Sequence, residues 1–247
     1  GCVVIEITNL VKSYDGVTGV DGLSLRVESG QILGLVGPNG AGKTTTLRCL
    51  AGIIPPTSGR IAIAGFDLRD RPTEARQRLA FVPDEPYLFD HLTVRDHLTL
   101  FARLYGVDDG PARADALLRD AGLSDRELSF PSELSRGMKQ KLVVACALLH
   151  EPDVLVLDEP LTGLDPAAMR RMKRTVRQTA DEGAAVIVSS HMLHLVEEVC
   201  DRVLIVSQGL VVLEGTLAEI RAELPDVEAD ADLETLFLKA TGADDGS

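Results

Sequence analysis

No stretch of this 247-residue chain approaches the ~20 consecutive apolar residues that a bilayer-spanning helix needs, although 45% of its residues are hydrophobic. The longest run, LVVACALL at 142–149, is short and follows Lys139 and Lys141. Paired cysteines are also lacking. Cys2, Cys49, Cys146 and Cys200 form no CxxC unit, which excludes common zinc-ribbon spacings and fits reduced thiols in a cytosolic protein. His191 and His194 stand in HMLH without the Glu of a zinc-protease HExxH helix, so a metal centre is not expected there. Positive charge is scarce: 25 Lys and Arg face 38 Asp and Glu, for a net −13. A nucleic-acid binder normally shows a basic footprint, so no nucleic-acid partner is expected; a local basic phosphate site is still allowed. Repeats, low-complexity tracts and extended heptads are absent. No signal-peptide pattern is visible, and the first residue is Gly rather than Met, as in a trimmed chain.

What is present suits one large domain, or a core with an inserted subdomain. VVIEIT (3–8) and LSLRVE (23–28) alternate apolar and polar residues, the mark of half-exposed strands; RIAIAG (60–65) reads as another strand. QILGLVG (31–37) is an apolar run that enters a Gly-rich loop, with a helix from about Lys43. From about Phe81 to His150 the pattern turns helical, with helices expected at 93–105, 111–121 and 138–150. DVLVLDEP, AAVIVSSH and RVLIVSQG have the continuous apolar character of strands covered on both faces. Asp165-Pro166 is an N-cap followed by Pro at the first helical position, opening a helix to about Asp181. The alternation predicts an α/β sheet with a helical insertion. Glu223–Glu234 holds six acidic residues and no basic one, a solvated connector. DLETLFLKATG after it reads as a short amphipathic helix.

GPNGAGKT, Gly37–Thr44, fits G-x-x-x-x-G-K-[ST] with the required strand before and helix after. The glycines let successive backbone N–H groups surround phosphate oxygens. Lys43 reaches the β/γ-phosphates, and the Thr44 hydroxyl suits Mg²⁺. A bare Gly-rich turn is the bland alternative. Asp158-Glu159 closes another strand. In an open α/β sheet the ligand crevice lies outside the carboxyl ends of the strands, so these acids should neighbour the P-loop. There Asp158 would hold Mg²⁺ and Glu159 would accept a proton from an attacking water; otherwise they are two solvated acids at a strand end. The same rule puts His191, after VIVSS, near the γ-phosphate. ELSRGMKQKL, Glu133–Leu142, is a poor helix start. Ser135 is a reasonable N-cap, but Gly137 stands in the first turn, where Gly costs up to about 1 kcal/mol against Ala. It is either an untidy cap or a helix mouth kept bare for phosphate.

The order of P-loop, helical insertion, LSRGM, VLVLDEP, LTGLD and SSH resembles that of the ATP-binding cassette (ABC) ATPase family, over nearly the whole chain. The resemblance implies a P-loop NTPase core with an antiparallel β subdomain and an inserted α-helical subdomain. The ATPase domain would span 1–220, with its insertion at about 84–150, and 221–247 would be the acidic connector and C-terminal helix. It implies that Tyr14 stacks on adenine and that Gly37, Pro38, Asn39, Gly40, Ala41, Gly42, Lys43, Thr44 and Thr45 cradle ATP. Ser135 and Gly137 of LSRGM, matching the signature LSGGQ, would contact the γ-phosphate held by the opposite cassette of a head-to-tail dimer. Asp165 matches the interface-crossing D-loop, and His191 the switch histidine. Catalysis would rest on Glu159, His191 and Lys43, with Mg²⁺ at Thr44, Asp84 and Asp158.

Three residues depart from the family pattern. Arg136 replaces a Gly and Met138 a Gln, as in drug and antibiotic exporters, and Asp84 stands where most cassettes carry the Q-loop Gln. The Q-loop region receives a coupling helix from the membrane subunit in the family, and PYLFDHLTV (86–94) offers Tyr87, Leu88 and Phe89 as either a contact patch or a packed loop. The implied protein is an ATP hydrolase that powers a membrane transporter, an exporter by its SRGM and C-terminal segment. It would lie in the cytoplasm, peripheral on the inner face of the cell membrane, with an integral-membrane permease on another chain and a homodimeric or paired second cassette. The rival readings are a soluble ABC protein acting on ribosomes or chromosomes, and a nucleotide switch without catalysis.

Overall fold

Asp15-Gly16 closes the first hairpin, between β1 (Val3–Tyr14) and β2 (Val17–Glu28). Both turn residues have positive φ, 44° and 85°, as a two-residue type I′ turn requires. The hairpin is longer than the alternation in the sequence implied. A bulge explains the difference: the register of β1 shifts between Ile7 and Leu10, and Asn9 there has φ 48°. Thr8 and Asn9 are consecutive exposed residues, so the period-2 pattern breaks in mid-strand. The computed structural model describes residues 2–224, 228 and 230–242.

The chain continues through β3 (Ile32–Val36), α1 (Lys43–Leu50), β4 (Ser58–Ile63), β5 (Phe66–Asp67), α2 (Pro72–Gln77) and β6 (Leu79–Val82). Three helices follow: α3 (Val94–Tyr105), α4 (Gly110–Ala121) and α5 (Arg136–Leu148). Then come β7 (Val154–Asp158), α6 (Pro166–Asp181), β8 (Ala185–Ser189), α7 (Leu193–Val199), β9 (Arg202–Ser207), β10 (Leu210–Gly215), α8 (Leu217–Glu223) and α9 (Leu233–Thr241).

Two sheets form. The first, in the order β2-β1-β4-β5, is antiparallel. The second, β10-β9-β3-β8-β7-β6, is parallel except for β10. Its inner strands β3, β7 and β8 are buried along their whole length, as their continuous apolar sequences require. Alternate residues point to opposite faces. Val154 and Val156 pack toward the antiparallel sheet and α1. Leu155 and Leu157 pack among residues of α5, α6 and α7. Truncating Leu155 to Ala would cost about 2–5 kcal/mol.

Helices α3, α4 and α5 bury Leu98, Leu118 and Leu142 in a core of their own. Thr93 caps α3 with a full capping box through Asp96, and Asp165 caps α6. Helix α9 docks on α7, β9 and β10 through Leu233 and Leu236, the amphipathic behaviour read from its sequence. Part of the acidic stretch 223–234 lies outside the described residues. Among the described residues no helix is long and apolar enough to cross a membrane.

Candidate active site

Parallel register brings the carboxyl ends of β3, β8 and β7 to one edge of the sheet. From β3 the chain enters the Gly37–Gly42 loop and then α1. Pro38, Asn39 and Gly40 form an exposed lip, while Ala41 is buried. Gly42 has φ 101°, and a Cβ there would stand 2.4 Å from the carbonyl oxygen of Gly19, so only Gly fits. Helix α1 has neither a side-chain cap nor an acid in its first turn. Its N–H groups therefore lie open to an anion.

Lys43 is 8% exposed. Its Nζ donates to the carbonyls of Gly37 (2.6 Å) and Pro38 (3.1 Å), spanning the loop. Burial pulls its pKa below that of an ordinary lysine, and the charges of Glu159 and Asp158 partly offset this. Thr44 is exposed and Thr45 half-buried. The β9–β10 turn braces the loop: the Gly209 N–H donates to the Ala41 carbonyl (3.0 Å), and the Gly209 carbonyl accepts from the Asp21 N–H (2.8 Å).

Asp158, 4% exposed, accepts a 2.5 Å hydrogen bond from the Ser189 hydroxyl. Glu159 has φ 49°, a conformation that costs a non-Gly residue about 1–3 kcal/mol. Its backbone N–H donates to the Ser189 carbonyl at 3.0 Å, which holds the turn. Its Oε2 lies 2.8 Å from His191 Nδ1 and 3.4 Å from both the Ser190 hydroxyl and the His191 N–H. Ser189 at the end of β8 and Ser190 after it make this bonding, which is not legible in the sequence because the residues alone do not say which acid each serves.

Tyr14 is 47% exposed, with Lys12 Nζ 4.9 Å from its ring centroid. Gly19 lies between it and α1: a Cβ there would be 3.8 Å from Tyr14 Cε2 and 3.9 Å from Thr45 Oγ1. Ser135 caps α5 by accepting from the Met138 N–H at 3.2 Å, and the first turn of α5 carries no acid. At Gly137 a Cβ would meet only Leu164 Cδ2, at 3.5 Å, so packing within the chain does not demand glycine. Among the described residues no hydrogen bond joins Ser135 or Gly137 to the P-loop. The Asp165 carboxylate accepts from the N–H groups of Ala168 (2.8 Å) and Ala167 (2.9 Å), which hold its pKa below the usual range.

Asp84 follows the end of β6 and forms a 3.3 Å ion pair with Arg136. Beyond it, Leu88 packs into the core of α3–α5, while Tyr87 and Phe89 are 84% and 50% exposed. The Phe89 N–H donates to Nε2 of buried His97 at 2.9 Å, fixing that loop on α3. Among the described residues no three His, Cys, Asp or Glu side chains converge as metal ligands. A buried carboxylate such as Asp158 and an exposed P-loop threonine such as Thr44 suit a hard cation that takes its other ligands from phosphate and water.

Residues 20–162 match the family model described as ABC transporter. The chain is 42% identical over 213 residues to the Nod factor export ATP-binding protein I of Burkholderia pseudomallei, covering 85% of this chain and 70% of that protein. It is 35% identical over 223 residues to the linearmycin resistance ATP-binding protein LnrL of Bacillus subtilis, covering 90% and 72%. A solved ATP-binding subunit of an ABC transporter superposes with TM-score 0.91 at 35% identity, covering 96% of this chain and 99% of that one. The chain belongs to the ABC transporter family, as an ATP-binding and ATP-hydrolysing subunit.

Proposed function

We propose that the chain drives export through a membrane by closing two cassettes around ATP and reopening them by hydrolysis. The observation that carries this is the meeting of three strand ends, which sets the Glu159–His191 contact of 2.8 Å beside the Lys43 loop. In this reading Gly37–Thr45 cradle the phosphates, Lys43 leaves its two carbonyl partners for a phosphate, and Tyr14 stacks on the base. Thr44 and Asp158 would hold Mg²⁺, which when bound neutralises phosphate charge. Glu159 accepts the proton of the attacking water, and His191 orients it from Nδ1.

The second half of each site comes from another cassette. The mouth of α5, with Ser135 and Arg136 exposed and Gly137 sterically unforced, offers backbone N–H groups to a phosphate arriving from outside the chain. Export is supported by the relatives named for Nod factor export and linearmycin resistance. A permease on another chain, meeting the exposed Tyr87 and Phe89, and a place on the inner face of the membrane complete the reading.

The test is transport by the complex purified from its native membrane. An integral-membrane subunit should co-purify, ATP should drive substrate outward across reconstituted vesicles, and Lys43→Ala should stop it. ATP turnover without any membrane subunit in the complex would favour the soluble reading.

A further inference from the structure

Two departures from the family pattern, far apart in sequence, are in contact: Asp84 Oδ1 lies 3.3 Å from Arg136 Nη2. We propose that Asp84 is the counter-ion of Arg136, a positioning pair that ties the loop after β6 to the mouth of α5, and not a metal ligand. This deepens the nucleotide-site reading above and rests on it.

Three observations support the pairing. Arg136 occupies the first turn of α5, where a cation opposes the helix dipole, and that turn contains no acid to offset it. Asp84 supplies the missing carboxylate from another segment. The Arg136 stem is also seated against Gly163, where a Cβ would be 3.5 Å from both its Cδ and its Nε. The guanidinium is thus held between LTGLD on one side and Asp84 on the other. Finally, both side chains are about half-exposed, 46% for Asp84 and 54% for Arg136. An exposed pair adds little to stability, so its contribution is to orientation. It fixes Arg136 beside Ser135 and Gly137, and it joins that mouth to the segment carrying Tyr87 and Phe89. Movement of the exposed loop would then reach the signature through one ion pair.

A double-mutant cycle in the full chain tests this, with Asp84→Asn, Arg136→Gln and the double variant. Arg136→Lys keeps the charge, and melting temperature serves as the folding control. ATP turnover and the Mg²⁺ concentration giving half-maximal ATP binding are measured in each. Each neutralising variant should lose about two- to fivefold in turnover, with the double variant no worse than either single one. Arg136→Lys should retain most activity, and the Mg²⁺ requirement and melting temperature should not move. The proposal is overturned by additive losses, by full activity in either neutralised single variant, or by a raised Mg²⁺ requirement in Asp84→Asn whether or not Arg136 is present. Turnover by the unaltered chain reports on the site itself, and the comparison among variants reports on the pair.

Discussion

Nδ1 of His191 stands 2.8 Å from Oε2 of Glu159, and both leave neighbouring parallel strands whose last residues, Asp158 and Ser189, are register partners. The contact is therefore set by the sheet. A carboxylate so held can receive a proton from water while the ring keeps it aimed. Glu159→Gln should retain ATP binding and lower turnover by about 10²–10⁴, favouring an ATP-bound dimer. Near-normal hydrolysis in that variant would remove Glu159 from the role of base.

Tyr14 presents a half-exposed ring beside Gly19 and Thr45. Stacking on a base is worth about 1–3 kcal/mol by Ala substitution. Tyr14→Ala should weaken ATP affinity accordingly, while Tyr14→Phe should bind as the unaltered chain does. Equal loss in both, by titration calorimetry, would point to the hydroxyl instead.

Gly137 predicts a site shared between chains. Lys43→Ala destroys the P-loop half and Ser135→Arg the signature half, so each homodimer should be dead. A mixed dimer collects both faults in one site and leaves the other intact. If two copies of this chain pair, isolated mixed dimers should regain ATP hydrolysis at that one site, which neither parent can carry out. If they turn over no more ATP than either parent, Ser135 returns to being the cap of α5.

His150 lies flat on Tyr105, ring centroids 3.7 Å apart, and burial pushes its pKa from 6.5 down to about 4. Between those values the unfolded chain takes up a proton that the folded chain refuses, so stability falls as pH drops through that window and is fully present above it. His150→Phe keeps the stack and cannot titrate. Its melting temperature should decline less between pH 6.5 and pH 4 than that of the unaltered chain. Parallel declines would show that other groups carry the acid sensitivity.

Local chemistry made much of this legible from residues alone. The P-loop announces itself by glycine spacing, and Asp165-Pro166 opens α6 where an N-cap and a Pro belong. Helices read at 93–105, 111–121 and 138–150 are found as Val94–Tyr105, Gly110–Ala121 and Arg136–Leu148. Contacts between distant segments were not legible. The strand β6, four residues long, has too short a run to separate it from the helical pattern after it. The bulge at Asn9 hid half of the first hairpin, because a one-residue slip reverses the alternation. Asp84 read as a metal-site residue, and its ion pair with Arg136 was not legible because nothing in linear sequence brings the two together across 52 positions. Ser189 and Ser190 read as a strand end, and only the register of β7 with β8 assigns them to Asp158 and Glu159.

The brace between Gly209 and Ala41 has a consequence for synthesis on the ribosome. The phosphate loop is made early, yet one of its carbonyls waits for the N–H of Gly209, a residue translated 168 positions later. A nascent chain halted before Gly209 should release nucleotide far more readily than one halted after Gly215 has cleared the exit tunnel. Nucleotide capture would then be strongest once the final sheet edge has closed, and bound ATP would shelter such a chain from proteolysis.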